Sequence, residues 1–326
     1  MAVVDHDTLV ATRTGGLAPD PDALTPFAGS ERLRPDGRPR PEFRNRLRRI
    51  PNIRNAWTVA WTLAMPVGIV WATATLDRWF VWPVAVLAMG TVFVRLYILN
   101  HEAAHRLLFS DRRWNDLVGQ HLIGLLAFGD GGPTYRLVHT QHHRDEFGPR
   151  EPDFGLYAGY PVARDSLRRK LVRDATGISG WKILRPVFKG LLRPGYRARA
   201  LKTIAGQMVV FALFAVAGHP WLYLVLWFLP WFTVWRVLNR LRALAEHAGM
   251  TRSDDRRRTT HHIEQHRLAQ AILVPFNTGY HLAHHVDSGI PFRNLPALHR
   301  ALAEDGYLDG VPVHRSYRSF WRTCVR

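Results

Sequence analysis

Two apolar stretches in the first third of the chain are too long for an ordinary soluble helix. "AWTVAWTLAMPVGIVWATATL" (56–76) and the run from Phe80 through "FVWPVAVLAMGTVFV" to Asn100 each approach the roughly 20 residues that cross a bilayer. Further on, "TIAGQMVVFALFAVAGHPWLYLVLWFLPWFTVW" (203–235) is too long for one crossing. Gly218-His219-Pro220 divides it, since glycine supplies a turn and proline has no N–H to continue a helix. The pattern predicts an all-α fold with transmembrane helices at about 56–76, 80–100, 203–218 and 220–238, arranged as two helical hairpins. Pro66 and Pro83 are compatible with spans, because neighbouring helices satisfy the freed carbonyls. Trp57, Trp79, Trp221 and Trp235 lie near span ends, where amphipathic rings favour the interface. A soluble helical core built from the same runs is disfavoured by their length. A shorter run, "LVGQHLIGLLAFG" (117–129), cannot cross and reads as re-entrant or interfacial.

Charge sets the orientation. Residues 32–54 hold nine Arg just before the first span, and 162–202 hold twelve Lys or Arg before the third. The hairpin tips "LDRW" and "AGHP" carry one basic residue between them. The positive-inside rule then places both termini, the middle segment and the C-terminal third in the cytoplasm. The same asymmetry accounts for much of the net charge of +18. No basic stripe with interleaved aromatics calls for nucleic acid, since the basic blocks flank spans. The single cysteine, Cys324, excludes a disulfide framework, a cysteine zinc site and a fused iron–sulfur module. "MAVVDHDTLV" carries acids where a signal peptide would be cationic and apolar. The expected organisation is a basic cytosolic segment over 1–54, with roughly its first 30 residues flexible, a membrane domain over 55–310 and a tail over 311–326.

The polar positions that matter most are histidines. "HEAAH" places His101 and His105 at i, i+4 at the end of the second span. "HTQHH" places His139, His142 and His143 at i, i+3, i+4, and "HLAHH" repeats that spacing at His281, His284 and His285. On a helix these offsets bring side chains to one face, a turn apart. A single HxxxH pair is commonly just solvated surface. Eight histidines in two spacing patterns, all on the cytoplasmic side of the expected topology, point instead to neutral imidazoles around metal. Eight nitrogens exceed one tetrahedral zinc and suit two six-coordinate first-row ions. Imidazole accommodates Fe, Cu, Zn and Ni, and the setting, at the mouth of an apolar bundle, suits iron and oxygen chemistry on a lipidic C–H bond.

The three boxes resemble the signature of the integral-membrane fatty acid desaturase family, HxxxH, HxxHH, HxxHH. "NTGYHLAHHVDSGIPFRNLPALHRAL" adds to the likeness, with Asp287-Ser288 standing where a proline often follows. The resemblance implies a four-span bundle capped by a cytosolic helical domain that carries a di-iron centre ligated by the eight boxed histidines. It also implies a further ligand at His247, in "LRALAEHAGM", and an iron-bound water held by Asn239 or Asn277. Glu102, Asp153 and Glu246 are candidates to orient the ligand rings, whereas Asp287 reads better as a solvated acid or an ion-pair partner for arginine. His261, His262 and His266, in "TTHHIEQHR", have no counterpart in the pattern and read as non-ligands, and His121 and His219 as structural.

The implied reaction uses two Fe ions and O2 to remove two hydrogens from neighbouring methylenes of a fatty acyl chain carried on lipid, CoA or carrier protein. Electrons must come from a ferredoxin-like or cytochrome b5-like donor, because the chain holds no haem motif or cysteine cluster. Hydroxylation or ketolation of an alkane, fatty acid or carotenoid on the same centre is the alternative. A histidine-rich metal transporter or sensor is a further class, disfavoured because the spans carry almost no polar residues besides Arg95.

Overall fold

The computed structural model describes residues 5–326. Residues 1–4 of the expected N-terminal segment lie outside the described residues. In chain order the principal helices are His6–Arg13 (α1), Asn52–Leu76 (α2), Val81–Ala104 (α3), Thr134–Arg144 (α4), Arg164–Ala175 (α5), Ile178–Leu191 (α6), Pro194–Val216 (α7), Pro220–His247 (α8), His281–Val286 (α9), Leu295–Glu304 (α10) and Tyr317–Thr323 (α11). The only sheet among the described residues is the parallel pairing of His262–Ile263 with Val313–His314. Four helices, α2, α3, α7 and α8, are long and apolar enough to cross a membrane. They form two hairpins, turned at Asp77 (φ 39°) and at Gly218 (φ 81°), where glycine meets the left-handed backbone without a Cβ clash. The third span begins at Pro194 rather than 203, because a proline at the first helical position is already set for the helix. The fourth widens to π-type bonding over Tyr223–Phe228, just ahead of Pro230.

The chain divides into two compact units. One comprises 51–136 and 168–239. Here close backbone approach and aromatic packing set the helix positions. A Cβ at Gly90 in α3 would fall 2.3 Å from Val234 in α8. Phe93 packs on Trp227 at 4.9 Å, and Tyr97 stacks on Trp235 at 4.2 Å. Buried polar groups are matched, as they must be away from water: Gln207 donates to Leu125 O at 2.8 Å and accepts from Trp227 Nε1 at 3.1 Å. Trp57, Trp61, Trp71 and Leu213 face outward, as lipid-facing residues would. Residues 115–126 are helical, largely π-type, and pack on the end of α3, with Gln120 donating to Asn100 O at 3.0 Å. Leu63, Val67, Trp71, Leu96, Leu126 and Phe214 line an apolar groove of about 700 Å³.

The other unit comprises 1–50, 137–167 and 240–326. Its N-terminal part differs from the flexible segment that composition suggested. Residues 6–13 form α1, Gly15 and Leu17 donate to Met250 O and Gly249 O at 3.0 and 2.8 Å, and Arg257 donates to Thr25 O at 2.8 Å. The carbonyls of Gly249 and Met250, in the loop after α8, need donors, and Gly15 and Leu17 supply them. The expected tail over 311–326 is likewise built in: it supplies a strand and α11, and it buries Tyr317, Phe320 and Cys324.

The Gly90 approach is testable. Gly90→Val is expected to lower the thermal unfolding midpoint in detergent by several degrees, in line with about 1–3 kcal/mol for overpacking. Gly68→Val, where an added Cβ meets nothing within 4 Å, is expected to leave the midpoint in place. Equal midpoints for the two variants would contradict this packing.

Candidate metal centre

Three helical segments of the second unit bring histidines together. α4 carries His139, His142 and His143, α9 carries His281, His284 and His285, and α8 ends in His247. His142, His247, His281, His284 and His285 are buried. The ring nitrogens approach in two places. His143 Nε2 lies 3.1 Å from both His139 Nε2 and His284 Nε2. His247 Nε2 lies 3.1 Å from His281 Nε2. The nitrogens of His142, His247 and His285 also lie within 4.8 Å of one another, as do those of His143, His284 and His285.

On four of these rings the opposite nitrogen faces oxygen. His142 Nδ1 sits 3.0 and 3.1 Å from the two oxygens of Glu151. His247 Nδ1 donates to Thr259 O at 2.9 Å and lies 3.1 Å from Glu146 Oε1. His285 Nδ1 is 3.3 Å from the same Glu146 oxygen, and His281 Nδ1 is 3.5 Å from Glu246 Oε1. A ring whose Nδ1–H is given to an oxygen presents a bare lone pair at Nε2. Bare lone pairs 3.1 Å apart repel unless a cation or proton lies between them. With metal–nitrogen bonds of about 2.1 Å, neighbouring ligands at right angles stand about 3.0 Å apart, against about 3.4 Å in a tetrahedron. The 3.1 Å separations lie in the range that two ligands of one ion span. His285 Nε2, on a fully buried ring, has no hydrogen-bond partner among the described residues. The residues fit a metal.

Electrostatics agree. Burial pushes the His285 imidazole down to about 3 despite the nearby Glu146, and His281 well below its ordinary value, so both are neutral, as ligands must be. Burial would raise the Glu146 carboxyl, but the imidazoles of His285 and His247 hold it well below the usual range. Arg256 also pairs with Glu146, and Arg242 pairs with Glu246 at 2.6 Å.

The other expected residues fall as follows. Asp153 lies beside His142 and Glu151 in a third group of ligand atoms within 4.8 Å, and burial raises its carboxyl. Asn277 has left-handed backbone, φ 64°, and its carbonyl accepts from Tyr280 N at 3.1 Å. Asp287 pairs with Arg44 at 2.5 and 3.0 Å, the arginine partnership anticipated for it. His261 Nε2 bonds Ala248 O at 2.7 Å, with its ring pushed down to about 3 by burial, and His266 Nε2 bonds Arg315 O at 2.6 Å. His262 packs on His299. In the unit of the spans, the His101 and His105 rings lie 4.9 Å apart, with His101 and Glu102 buried near the end of α3. Asn239 belongs to that unit too. There His121 bonds Gly131 O, and His219 lines the apolar groove.

Glu146 and Glu151 are the residues that sequence reasoning missed. They follow the HTQHH box by three and eight positions in a loop without periodicity, and the one available signal was an acid close behind a histidine box. Replacing the Glu146 carboxylate by an amide, Glu146→Gln, is expected to weaken metal binding about tenfold to a hundredfold. Metal per chain, measured by mass spectrometry after dialysis against a chelator, reads this. His266→Ala is expected to keep the wild-type content, and full metal in Glu146→Gln would contradict the assigned role.

Comparison with known proteins agrees with the boxes. The family model for fatty acid desaturase matches residues 77–317. The chain is 23% identical over 310 residues to an sn-1 oleoyl-lipid 12-desaturase of Anabaena variabilis, covering 83% of this chain and 81% of that protein. It is 26% identical over 260 residues to a dihydrorhizobitoxine desaturase of Bradyrhizobium elkanii, covering 74% and 73%. Over 97 residues it is 32% identical to the chloroplastic sn-2 acyl-lipid omega-3 desaturase (ferredoxin) of Arabidopsis thaliana, covering 28% and 21%. With a match over most of its length and the histidine boxes in place, this chain, an integral membrane protein with a metal site, belongs to the fatty acid desaturase family.

Proposed function

We propose that this protein introduces a double bond into a lipid-linked fatty acyl chain, at a pair of iron ions and with dioxygen as co-substrate. The observation that carries the reading is the approach of His247 Nε2 and His281 Nε2 at 3.1 Å, on rings whose Nδ1 atoms face Thr259 O, Glu146 and Glu246. His139, His142, His143, His247, His281, His284 and His285 would hold the ions. His101 and His105 join them on the spacing of the HEAAH box and the family likeness. Glu102 is assigned a ring-orienting role, and Asn239 and Asn277 are candidates to hold a bound water.

When bound, iron supplies the activation of dioxygen. In the net reaction two hydrogens leave adjacent methylenes and, with two electrons and two protons from outside, dioxygen becomes two waters. The protein's own residues do the rest. Glu146, Glu151, Glu246 and Thr259 O fix the ring directions. Burial of the histidines keeps bulk water from the centre. The apolar groove among the spans has the size and lining to take a hydrocarbon chain.

Two of the relatives named above are acyl-lipid desaturases, which supports lipid over CoA or carrier protein as the acyl carrier. None of the three carries a hydroxylase or ketolase name, so that alternative is not favoured. The electrons come from a separate ferredoxin-like or cytochrome b5-like protein, and the name of the Arabidopsis relative includes ferredoxin. The arginine asymmetry supports a cytoplasmic site and cytoplasmic termini.

Expression in a host of defined lipid composition tests the reading. The wild-type chain is expected to add unsaturated acyl species, seen by mass spectrometry of extracted lipids, and His284→Ala to abolish them. Identical lipid profiles for the two would contradict it.

A further inference from the structure

We infer that a small acidic one-electron carrier protein docks in an arginine groove at the C-terminal end of the second unit, formed by Arg164, Arg318 and Arg322 around Trp321. The inference rests on the proposed desaturation, which needs electrons from outside.

The groove has a volume of about 490 Å³ and is completed by Val325. Backbone pairing builds it: Val162 N donates to Cys324 O, and Arg326 N to Val162 O, both at 2.9 Å, which brings Arg164 beside the chain end. α11 presents Arg318 and Arg322 one turn apart on one face. A capping box at Ser316 and Ser319 and the buried Tyr317 and Phe320 hold that helix in place. All three arginines are exposed, and none enters an ion pair among the described residues. The neighbouring acid in sequence, Asp165, is also exposed. Three unpaired guanidinium groups in one groove favour a carboxylate-rich surface.

Two features favour a protein over a lipid headgroup. The apolar wall is only Trp321 and Val325, both half-buried. α6, by contrast, exposes Trp181 and Phe188 alongside Lys182, Arg185 and Lys189, the mixture that suits a bilayer surface. The back of the groove also leads to the histidines. Trp321 Nε1 donates to Leu241 O at 3.0 Å, on the helix that ends in His247. The Trp321 ring lies 6.1 Å from that of Tyr317, which walls a small cavity with His281 and Glu246. A carrier seated there would be oxidised by one electron per encounter, with two encounters supplying the two electrons of one double bond.

The test uses the full chain in lipid nanodiscs with two probes, a plant-type [2Fe–2S] ferredoxin and the soluble domain of an acidic cytochrome b5. Binding of at least one probe, measured by interferometry at low salt, is expected to weaken about tenfold or more in R318E/R322E and in R164E, and to fall with added salt in the wild type. K182E/R185E, an equal charge change on α6, is expected to bind as the wild type does. Metal content and reduction by dithionite are expected to be unchanged in every variant. A wild-type chain without metal would sink the desaturase reading and not the docking. Undiminished binding in R318E/R322E, an equal loss in K182E/R185E, binding of neither probe, or an effect confined to phosphatidylglycerol binding would each overturn the proposal.

Discussion

A neutral imidazole has two nitrogens, and whatever holds one decides where the other points. In this protein the Nδ1 atoms of His142, His247, His281 and His285 all face a carboxylate oxygen, and that of His247 also donates to Thr259 O. Glu146 does most of this, standing between two rings at 3.1 and 3.3 Å while Arg256 holds its other oxygen. A buried carboxylate is costly unless paired and hydrogen-bonded. Keeping several here makes sense around cations, whose charge they would balance and whose ligands they would orient.

The fold places these groups by local means. Spacings of three and four residues bring each box to one helix face. The loop after α4 then turns back through Phe147, a buried residue with φ 57°, a backbone that costs an L-residue about 1–2 kcal/mol. That turn returns Glu151 to His142 on the helix it follows, while Glu146, just ahead of the turn, faces His247 and His285. His6 of α1 bonds Phe147 O at 3.0 Å, and Arg44 holds Asp287 just beyond His285. The N-terminal segment therefore supports the site loops from outside, which gives its order a purpose that composition does not suggest.

What could be read in advance was whatever repeats. Apolar length marks the four spans, and the histidine spacing marks the boxes, because both are periodic and local. His247 has no period of its own and was reached only through the family likeness. Nearness in sequence points to Asp153 and Glu246, and they sit beside His142 and His281. Glu146 and Glu151 escaped because their partners are fixed by a loop whose shape no pattern announces. The docking of residues 15–25 on 249–257 escaped for a similar reason, since it joins backbone groups of Gly15 and Leu17 to Met250 and Gly249 and one arginine, Arg257, to Thr25 O, with no periodic pattern to mark it. α5 and α6 were hidden by their cations, which read as a basic block before they read as helices.

The central claim is that Nε2 atoms, four of them on rings with oxygen behind them, surround a pair of metal ions. An anomalous difference map at the iron edge, from crystals of the iron-loaded protein, tests it most directly. The account predicts one peak among Nε2 of His139, His143 and His284 and another beside Nε2 of His247 and His281. Peaks on Nδ1 atoms, peaks elsewhere, or no iron at these rings would contradict it.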